Sequence, residues 1–283
     1  MIHTPDDNEP FVPAPEPEHF RVLGVPISAI DMTQAVARID SLIRNPRTDS
    51  AAYICVRDVN GVVESQRDRH LLAIHEHAAM VTPDGMPMVW LGRRAGFDHV
   101  DRVYGPDLML AICDVSADRG YQHYFYGGAE GVAELLAKRL ETRFSGLDVV
   151  GRHCPPFRAL SEDEREADAA AIRASGAHIV WVGLSTPKQE RWMAEMAPLL
   201  PGLVLIGVGA AFDFHAGLKA QAPRWLQRSG MEWAFRLATE PRRLWRRYLF
   251  NNTRFVMSLA GETLRSALVR RRTSGSAPTG SPS

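Results

Sequence analysis

Residues 181–190 read Trp-Val-Gly-Leu-Ser-Thr-Pro-Lys-Gln-Glu and indicate the fold more clearly than any other part of the chain. The run from His178 to Val182 that leads into them has the length and β-branched content of a buried parallel strand. The run breaks at Gly183, and Pro187 then suits the first turn of a helix, where the N–H that proline lacks would have no partner. A strand, a glycine turn and a helix in this order predict an α/β protein with a ligand site at the turn.

The polar residues after the glycine predict what this turn binds. The start of the expected helix holds Pro187, Lys188, Gln189 and Glu190. Free N–H groups at such a helix end attract phosphate, and amide and carboxylate side chains can bond a base or a ribose. Together with Gly183, these residues are therefore candidates for nucleotide binding. Simple packing of the strand against the helix is the alternative explanation.

The same alternation of short apolar runs and amphipathic segments extends from residue 21 to about residue 220. It predicts a Rossmann-like, mainly parallel sheet with flanking helices. The expected strands are 52–56, 80–82, 123–126, 147–150, 178–182 and 203–208. The expected helices are 33–44, 61–77, 106–118, 131–144, 161–175 and 187–199. Ser161 followed by Glu164 is a capping-box pattern that marks the start of one of these helices.

Two further glycine turns follow predicted strands. Gly127 and Gly128 come after the strand 123–126, and Gly209 comes after the strand 203–208. Small residues let a diphosphate approach the backbone, although neither turn has the G-x-G-x-x-G spacing of a dinucleotide site. Asp213 follows the second turn, where it is expected to bind sugar hydroxyls or to cap the next turn.

An acid and an arginine stand at other junctions of the predicted sheet. Asp84 lies in the tight turn Thr82-Pro83-Asp84-Gly85, directly after a strand, where its carboxylate either bonds its own turn or projects into a site as a general base. Arg102 comes shortly before the expected helix start at Pro106. Its planar fork suits diphosphate oxygens.

The two ends of the chain differ in composition from the α/β catalytic domain, which we place at residues 21–222. Residues 1–20 are acidic and proline-rich, lack the features of a signal peptide, and are expected to form a disordered leader. Residues 223–272 form a helical appendage with twelve arginines and three glutamates, and residues 273–283 form a low-complexity tail expected to be disordered.

The appendage has the pattern of an interfacial helix. Its apolar residues recur near helical spacing among arginines; they are Trp245, Tyr248, Leu249, Phe255, Val256 and Leu259. This pattern predicts binding to an anionic membrane surface, and packing on the catalytic domain or on a second copy is the alternative. No segment has the roughly 20 apolar residues of a membrane-spanning helix, so we expect a cytoplasmic protein that meets the membrane peripherally.

Cysteine and histidine usage indicates neither a disulfide framework nor a metal. Cys55, Cys113 and Cys154 are odd in number and far apart, so we expect three buried thiols in a reducing compartment. The histidines at 70, 75 and 77 have no carboxylate partner at ligand spacing, and the chain has no D-x-D motif. We therefore expect no required metal.

Six groups of residues, taken together, resemble one protein family. They are Thr82–Gly85, Arg102–Leu108, Gly127–Gly128, Gly183–Glu190, Gly207–Gly217 and Met231–Leu237 with Glu240–Arg242. In this order they look like the WecG/TagA/CpsF family of glycosyltransferases. The resemblance implies a metal-independent, inverting enzyme without a cofactor. Its donor would be a UDP-sugar of the N-acetylmannosamine or glucose type, and its acceptor a polyprenyl-diphosphate-linked sugar at the inner face of the bacterial cytoplasmic membrane. The resemblance also implies a role in making surface polysaccharide or exopolysaccharide, and possible homo-oligomers.

The resemblance also assigns roles to single residues. Asp84 matches the family's general base, and Arg102 matches an arginine that holds the diphosphate. Gln189 and Glu190 match residues near the nucleotide. Either Asp58 or Asn60 takes the polar role of a Thr-x-Asn motif, from which this chain departs. The appendage of relatives brings arginines into the site, and the candidates here are Arg236, Arg243 and Arg247.

Three other classes of function fit less well. A nicotinamide-dependent oxidoreductase needs an acidic residue about 20 positions beyond a full glycine fingerprint, and the chain has no such pair; another nucleotide-binding α/β protein remains the broader alternative. A nucleic-acid-binding module is not expected, because the leader is acidic and no binding motif is present. A glycoside hydrolase using Asp84 and Asp213 would leave the nucleotide-type turns without a purpose.

Overall fold

The computed structural model describes residues 11–274, with side chains to residue 265. Its strands, in chain order, are β1 (His19–Val22), β2 (Val25–Ser28), β3 (Ala52–Arg57), β4 (Met80–Pro83), β5 (Gln122–Gly127), β6 (Asp148–His153), β7 (Ile179–Gly183) and β8 (Val204–Gly207). The first two strands form an antiparallel hairpin. The other six form a parallel sheet in the order β4-β3-β8-β7-β5-β6.

Helices cover the sheet and continue beyond it. They are α1 (Met32–Arg44), α2 (Val59–Arg67), α3 (Arg69–His77), α4 (Met86–Arg94), α5 (Gly105–Arg119), α6 (Val132–Arg143), α7 (Glu162–Ala174), α8 (Lys188–Met196), α9 (Ala211–His215), α10 (Arg224–Arg228), α11 (Glu232–Thr239) and α12 (Pro241–Ser274). A short 3₁₀ helix, Ala197–Leu199, extends α8. None of the helices in residues 11–274 is both long and apolar enough to span a bilayer.

Five of the six strands of this sheet are mostly buried on both faces, which explains their continuous apolar runs, whereas the edge strand β6 is partly exposed. Along β3, Ile54 packs into the core shared with α1, α5 and α6, whereas Tyr53 and Cys55 pack into the core shared with the hairpin, α2, α3 and α8. In β7, Trp181 and Val182 alternate between the same two cores. Because all six strands run in one direction, the residues that follow them gather at one edge of the sheet.

The predicted α/β class and all six predicted sheet strands are confirmed. The capping box at the start of α7 is also present, since Glu164 N donates to Ser161 Oγ (3.2 Å) and Ser161 N donates to Glu164 Oε2 (2.8 Å). The predicted helix 61–77 is instead two helices. Asp68 accepts bonds from His70 N and Leu71 N, and so starts α3 where one continuous helix was expected.

The structure adds elements that the sequence analysis did not predict. The β1–β2 hairpin turns at Leu23 and Gly24, which both have positive φ (52° and 89°). Because β1 begins at His19 and Phe20 is buried, the folded domain starts inside the segment expected to be a leader. Residues 1–10 of that leader and 275–283 of the tail lie outside the described residues. The thiol of Cys154 is exposed rather than buried, because it lies in the connection after β6.

Candidate active site

A cavity at the carboxyl ends of β3 and β4 joins the predicted acid and arginine to the C-terminal helices. It encloses about 580 Å³. Its charged and amide side chains are Asp58, Asn60, Asp84, Arg102, Gln227, Glu232, Arg236, Arg247, Asn251 and Asn252. Its larger apolar side chains are Met86, Pro87, Trp90, Leu91, Met231, Trp233, Phe255, Val256 and Leu259. We call this space the Asp84 cavity.

The polar and apolar residues occupy different ends of the Asp84 cavity. Along α12, Arg247 and Asn251 contact residues at the start of α2, and Phe255 and Leu259 follow one and two turns later.

 On α4, Trp90 and Leu91 likewise lie one turn beyond Met86 and Pro87, next to Asp84. The cavity therefore has a charged end at the sheet and an apolar end between α4 and α12, which fits an amphiphilic ligand.

The backbone around Asp84 directs its carboxylate into the cavity. Asp84 N donates to the carbonyl of Arg57 at the end of the neighbouring strand (2.9 Å). Gly85 then adopts φ = 90°, a conformation that favours glycine, and starts α4 without a side-chain cap. The carboxylate accepts bonds at Oδ1 from Arg102 Nε (3.2 Å) and Nη2 (3.1 Å), not from its own turn. Among residues 11–265, none donates a hydrogen bond to Oδ2, and 18% of the side chain is exposed.

Arg102 connects the acid to the appendage. Its Nη2 also donates to Glu232 Oε2 (2.5 Å), its Nη1 donates to Gln227 Oε1 (3.4 Å), and its guanidinium stacks on the ring of Tyr104 (4.1 Å). Burial opposes the charged form, but the carboxylates of Asp84 and Glu232 outweigh it and raise the pKa of Arg102. Arg102 is therefore a fixed positive charge between two acids.

Glu232 and Gln227 are cavity residues that the sequence analysis missed as site residues. They lie 130 and 125 positions from Arg102 in the chain, so no local pattern connects them. Glu232 was visible only as part of the segment Met231–Leu237 that carries the family resemblance. A sequence pattern identifies such a segment but not the contact it makes.

Asp58 and Asn60, the two alternatives for one polar role, both line the cavity. Asp58 caps α2 by accepting from Gly61 N (2.8 Å), and its other oxygen lies 3.4 Å from Arg247 Nη2. Asn60 is buried and accepts from Asn251 Nδ2 (2.5 Å). These contacts hold α12 against α2.

Two appendage arginines reach the cavity with unused donors. Arg236 and Arg247 line it, and the Nε of each is buried without a hydrogen-bond partner among the described residues. The hydroxyl of Tyr104 is buried and unpartnered in the same sense. Because unpaired buried donors are costly, they mark this end of the cavity as a candidate anion site. Arg243 does not line the cavity and pairs with Glu240 (2.7 Å).

The surroundings of the two cavity aspartates push their pKa values apart. Burial raises the pKa of Asp84 to about 6; Arg102 lowers it, whereas Glu232 and Asp58 raise it. For Asp58, burial also acts to raise the pKa, but Arg247 and the Gly61 N–H outweigh it and the pKa is lowered. A carboxylate with a pKa near neutrality is suited to accept a proton, and one with a low pKa is not.

The glycine turns lie on the same sheet edge but outside the Asp84 cavity. Gly128 N donates to the carbonyl of Gly183 (3.1 Å), and a Cβ on Gly127 would lie 2.9 Å from the backbone of Gly183. A Cβ on Gly183 would in turn lie 2.8 Å from the ring of Phe212. Close packing therefore explains why these positions are glycine. In the strand order, β5 is four positions from β4, so Gly127 lies roughly 19 Å from Asp84 at the usual strand spacing.

Gln189 and Glu190 are buried rather than open at the helix start. Glu190 forms an ion pair with Arg57, and both side chains are fully buried. Thr186 Oγ1 (3.0 Å) and Gln189 Nε2 (3.1 Å) also donate to Glu190 Oε1. Pro187 is the residue before α8. These contacts give Glu190 a structural partner, and nucleotide binding by this segment stays a prediction.

The other predicted donor residues lie near the centre and far side of the sheet edge. Lys188 is exposed, with its Nζ 4.1 Å from the ring centre of Phe157. Gly209 has φ = 51°, and a Cβ there would lie 3.3 Å from Gln189 Oε1. Asp213 pairs with Lys219 (2.8 Å) and, within residues 11–265, its side chain caps no helix. The structure therefore separates these residues from the Asp84 cavity.

The histidines at 70, 75 and 77 have no site geometry. His75 is buried, with Nδ1 2.6 Å from the carbonyl of Leu71, and His77 Nδ1 lies 2.8 Å from the carbonyl of Ala73. Within the described residues, no group of three or more His, Cys, Asp or Glu side chains is placed to hold a metal ion.

Comparison with known proteins agrees with the resemblance drawn from the motifs. Residues 20–269 match the model of the glycosyl transferase WecG/TagA/CpsF family, which includes most of the appendage. The chain is also similar to the N-acetylglucosaminyldiphosphoundecaprenol N-acetyl-beta-D-mannosaminyltransferase of Bacillus spizizenii. The two are 29% identical over 201 residues, which cover 71% of this chain and 76% of the relative. Because the family match spans both the sheet domain and the helices that close the Asp84 cavity, the chain belongs to the WecG/TagA/CpsF family of glycosyltransferases.

Proposed function

We propose that this protein transfers N-acetylmannosamine from a UDP-sugar to an N-acetylglucosamine linked to a polyprenyl diphosphate, with inversion and without a metal. The observation that carries the proposal is the Asp84 carboxylate. It lies in a cavity with a charged end and an apolar end, its pKa is raised to about 6, and its Oδ2 has no donor among the described residues.

In the proposed reaction, Asp84 is the general base. Its carboxylate takes the proton of an acceptor hydroxyl as that oxygen bonds to the anomeric carbon of the donor sugar. The bond from that carbon to the diphosphate breaks on the opposite face, and UDP leaves with the electron pair. General-base catalysis of this kind contributes about 10²–10⁴ in rate.

The charge of the departing diphosphate needs fixed donors. Arg102, Arg236 and Arg247 line the Asp84 cavity, and the last two keep buried Nε donors unpaired among the described residues. Preorganised cationic donors stabilise developing negative charge without reorganisation. We assign the phosphates that approach Asp84 to this group. Arg243, which lies outside the cavity, is not included.

The apolar end of the cavity supports a lipid-linked acceptor. Trp90 and Leu91 on α4 and Phe255 and Leu259 on α12 line the same cavity. An isoprenoid chain attached to a diphosphate places apolar surface next to charge, which matches the order of residues along both helices. The relative from Bacillus spizizenii is named for an undecaprenol diphosphate acceptor.

The donor side is assigned to the remaining sheet edge. A UDP-sugar is elongated, so its uridine would lie toward Gly127, Gly128, Gly183 and Gly209 while its sugar reaches Asp84. N-acetylmannosamine is proposed because the same relative is named for transferring that sugar. UDP-glucose, the other donor type that the sequence suggests, is the alternative within the same reaction.

The outer face of α12 supports peripheral binding to an anionic membrane. The helix has two faces: Leu244, Asn251 and Phe255 are buried against the domain, whereas the opposite face is exposed. That exposed face includes Trp245, Leu249, Phe250 and Met257. Packing on the domain and contact with lipid are therefore compatible, with the protein at the inner face of the cytoplasmic membrane. Self-association stays a prediction.

A transfer assay tests the proposal. The purified protein is incubated with a short polyprenyl-diphosphate N-acetylglucosamine and, in separate reactions, UDP-N-acetylmannosamine, UDP-glucose or UDP-N-acetylglucosamine, each with and without EDTA. We expect transfer from UDP-N-acetylmannosamine at the same rate with the chelator, and a product of inverted anomeric configuration. Preference for UDP-glucose would change the donor assignment. Loss of transfer in EDTA, or a retained configuration, would contradict the mechanism.

A further inference from the structure

Glu232 holds the side of the Arg102 guanidinium that faces the appendage. It is the first residue of α11, and 14% of its side chain is exposed. Its Oε2 accepts a hydrogen bond from Arg102 Nη2, the same nitrogen that lies 3.1 Å from Asp84 Oδ1. Gln227 adds a contact to Nη1, and its own Nε2 donates to the carbonyl of Ala222 (2.7 Å).

This arrangement changes how Arg102 binds Asp84. An unrestrained arginine and carboxylate prefer a fork-to-fork pair, in which two N–H groups bond two different oxygens. Here both Arg102 bonds go to Asp84 Oδ1, and Nη2 is shared with Glu232. As a result, Asp84 Oδ2 receives no hydrogen bond from Arg102 or from any other residue in the range 11–265.

We propose that Glu232 is a positioning residue for the transfer reaction: it holds Arg102 out of a fork-to-fork pair with Asp84 and so keeps Asp84 Oδ2 free for the acceptor proton. This inference rests on the proposed function, in which Asp84 is the base. It gives the appendage a second role in the chemistry, beside the diphosphate contacts proposed for Arg236 and Arg247.

The charge of Glu232 acts in the same direction as its geometry. The charged and titratable groups around Asp84 are Arg102, Glu232, Asp58, Arg236, Arg247, Tyr104 and Tyr248. Burial is the largest cause of the raised pKa of Asp84, and Glu232 raises it further, against the opposing effect of Arg102. Removing the negative charge of Glu232 should therefore lower the pKa of Asp84 and weaken it as a base.

The test compares Glu232→Gln with the matched control Glu240→Gln. Glu240 closes the other end of α11, does not line the cavity, and contacts Arg243 (2.7 Å) and Lys219 (3.6 Å). For Glu232→Gln we expect the acidic limb of the kcat–pH profile to move down by about one pH unit. We expect its plateau kcat to fall roughly tenfold, with the acceptor KM within about twofold of the wild-type value. Glu240→Gln should keep the wild-type profile.

A graded variant and a ligand-free measurement complete the test. Glu232→Asp keeps the charge but loosens the contact with Arg102 Nη2, so the acidic limb of its kcat–pH profile should lie between those of the wild type and Glu232→Gln. If Glu232→Gln does not fold, the pH profile of Glu232→Asp alone tests the inference. A carbon-13 NMR titration of the Asp84 carboxyl in the free protein should give the same order. An unmoved acidic limb, or an equal shift in Glu240→Gln, would overturn the inference.

Transfer by Asp84→Asn, compared with transfer by Glu232→Gln, tests the role of Asp84 separately from the role of Glu232. If Asp84→Asn abolishes transfer while Glu232→Gln keeps the wild-type pH profile, Asp84 is the base and Glu232 only packs against Arg102. If Asp84→Asn remains active, the base assignment itself is wrong.

Discussion

Arg102 contacts a single oxygen of the Asp84 carboxylate, with Nε at 3.2 Å and Nη2 at 3.1 Å from Oδ1. The pair is mostly buried, with 12% of the Arg102 side chain and 18% of the Asp84 side chain exposed. The acid is therefore oriented by a positive charge, and its other oxygen accepts no hydrogen bond from residues 11–265.

Loss of Arg102 should damage transfer and move its pH dependence upward. Arg102 lowers the pKa of Asp84, which burial raises to about 6, so Arg102→Gln should raise that pKa further. The acidic limb of the kcat–pH profile should then shift to higher pH. Because the variant also loses a charged hydrogen-bond donor to the diphosphate, kcat should fall by about 10²–10³. Steady-state kinetics over pH 5–9, a range of about four units around the Asp84 pKa, measures both effects.

The exposed pair of Arg21 and Glu76 supplies the control for Arg102. Arg21 is 59% exposed and lies on β1, so Arg21→Gln removes a guanidinium–carboxylate contact away from the cavity. It should leave the kinetics unchanged. An Arg102→Gln enzyme with the same kcat and pH profile as Arg21→Gln would refute the role given to Arg102.

Asp84 should destabilise the fold at neutral pH. Its folded pKa of about 6 is above the ordinary value of 3.8 because burial disfavours the charged form. Above pH 6 the ionised group opposes folding, and this effect is relieved as pH falls through 6 toward 3.8. Asp84→Asn, which mimics the neutral form, should therefore raise the free energy of unfolding at pH 7.5 by up to about 3 kcal/mol. Urea unfolding at pH 7.5 and 5 checks the sign, and a destabilised Asn variant at pH 7.5 would contradict it.

The buried pair of Arg57 and Glu190 should behave as a structural unit. Glu190→Gln leaves the Arg57 charge buried without its acid and should lower the free energy of unfolding by about 3–5 kcal/mol. The double variant Arg57→Leu, Glu190→Leu removes both charges and should recover most of that loss. Urea unfolding measures stability, and calorimetry measures UDP binding. UDP affinity lost in a stable double variant would support the predicted donor role of Glu190 instead.

The exposed face of α12 should control vesicle binding without affecting stability. Leu249 and Phe250 are 58% and 60% exposed, so the double change to Ser removes apolar surface that is mostly open to solvent. We expect binding to anionic phospholipid vesicles to weaken by at least about tenfold, with an unchanged Tm, because each buried CH₂ contributes about 0.8 kcal/mol. Leu218→Ser is the control, because Leu218 is exposed to a similar extent (56%) but lies outside α12. Vesicle co-sedimentation that is equal for all three proteins would argue against lipid contact.

The parallel sheet was predictable because its physical cause is local. Strands buried on both faces are continuous apolar runs, and each here ends near glycine, proline or a polar residue, as at Gly183. The hairpin was missed because Leu23 is a rare residue at positive φ and gives no turn signal. The break between α2 and α3 was missed because an aspartate among other polar residues looks the same in the sequence whether it caps a helix or lies on its exposed face.

The candidate site was predictable in part for the same reason. Asp84 and Arg102 follow strands or precede helices, and parallel topology brings such positions to one edge. Their contact with Glu232 depends on how the appendage folds back over that edge, which no local pattern encodes. Glu190, in contrast, has the sequence context of a ligand residue, but its carboxylate forms a buried ion pair with Arg57.

The most direct measurement is sugar transfer by Asp84→Asn, alongside its binding of the UDP-sugar. The account predicts that kcat falls by about 10²–10⁴, that the acidic limb near pH 6 disappears, and that the Kd of the UDP-sugar stays within about threefold of the wild-type value. An Asn variant that transfers sugar at the wild-type rate, with the same pH profile, would contradict the assignment of Asp84 as the base.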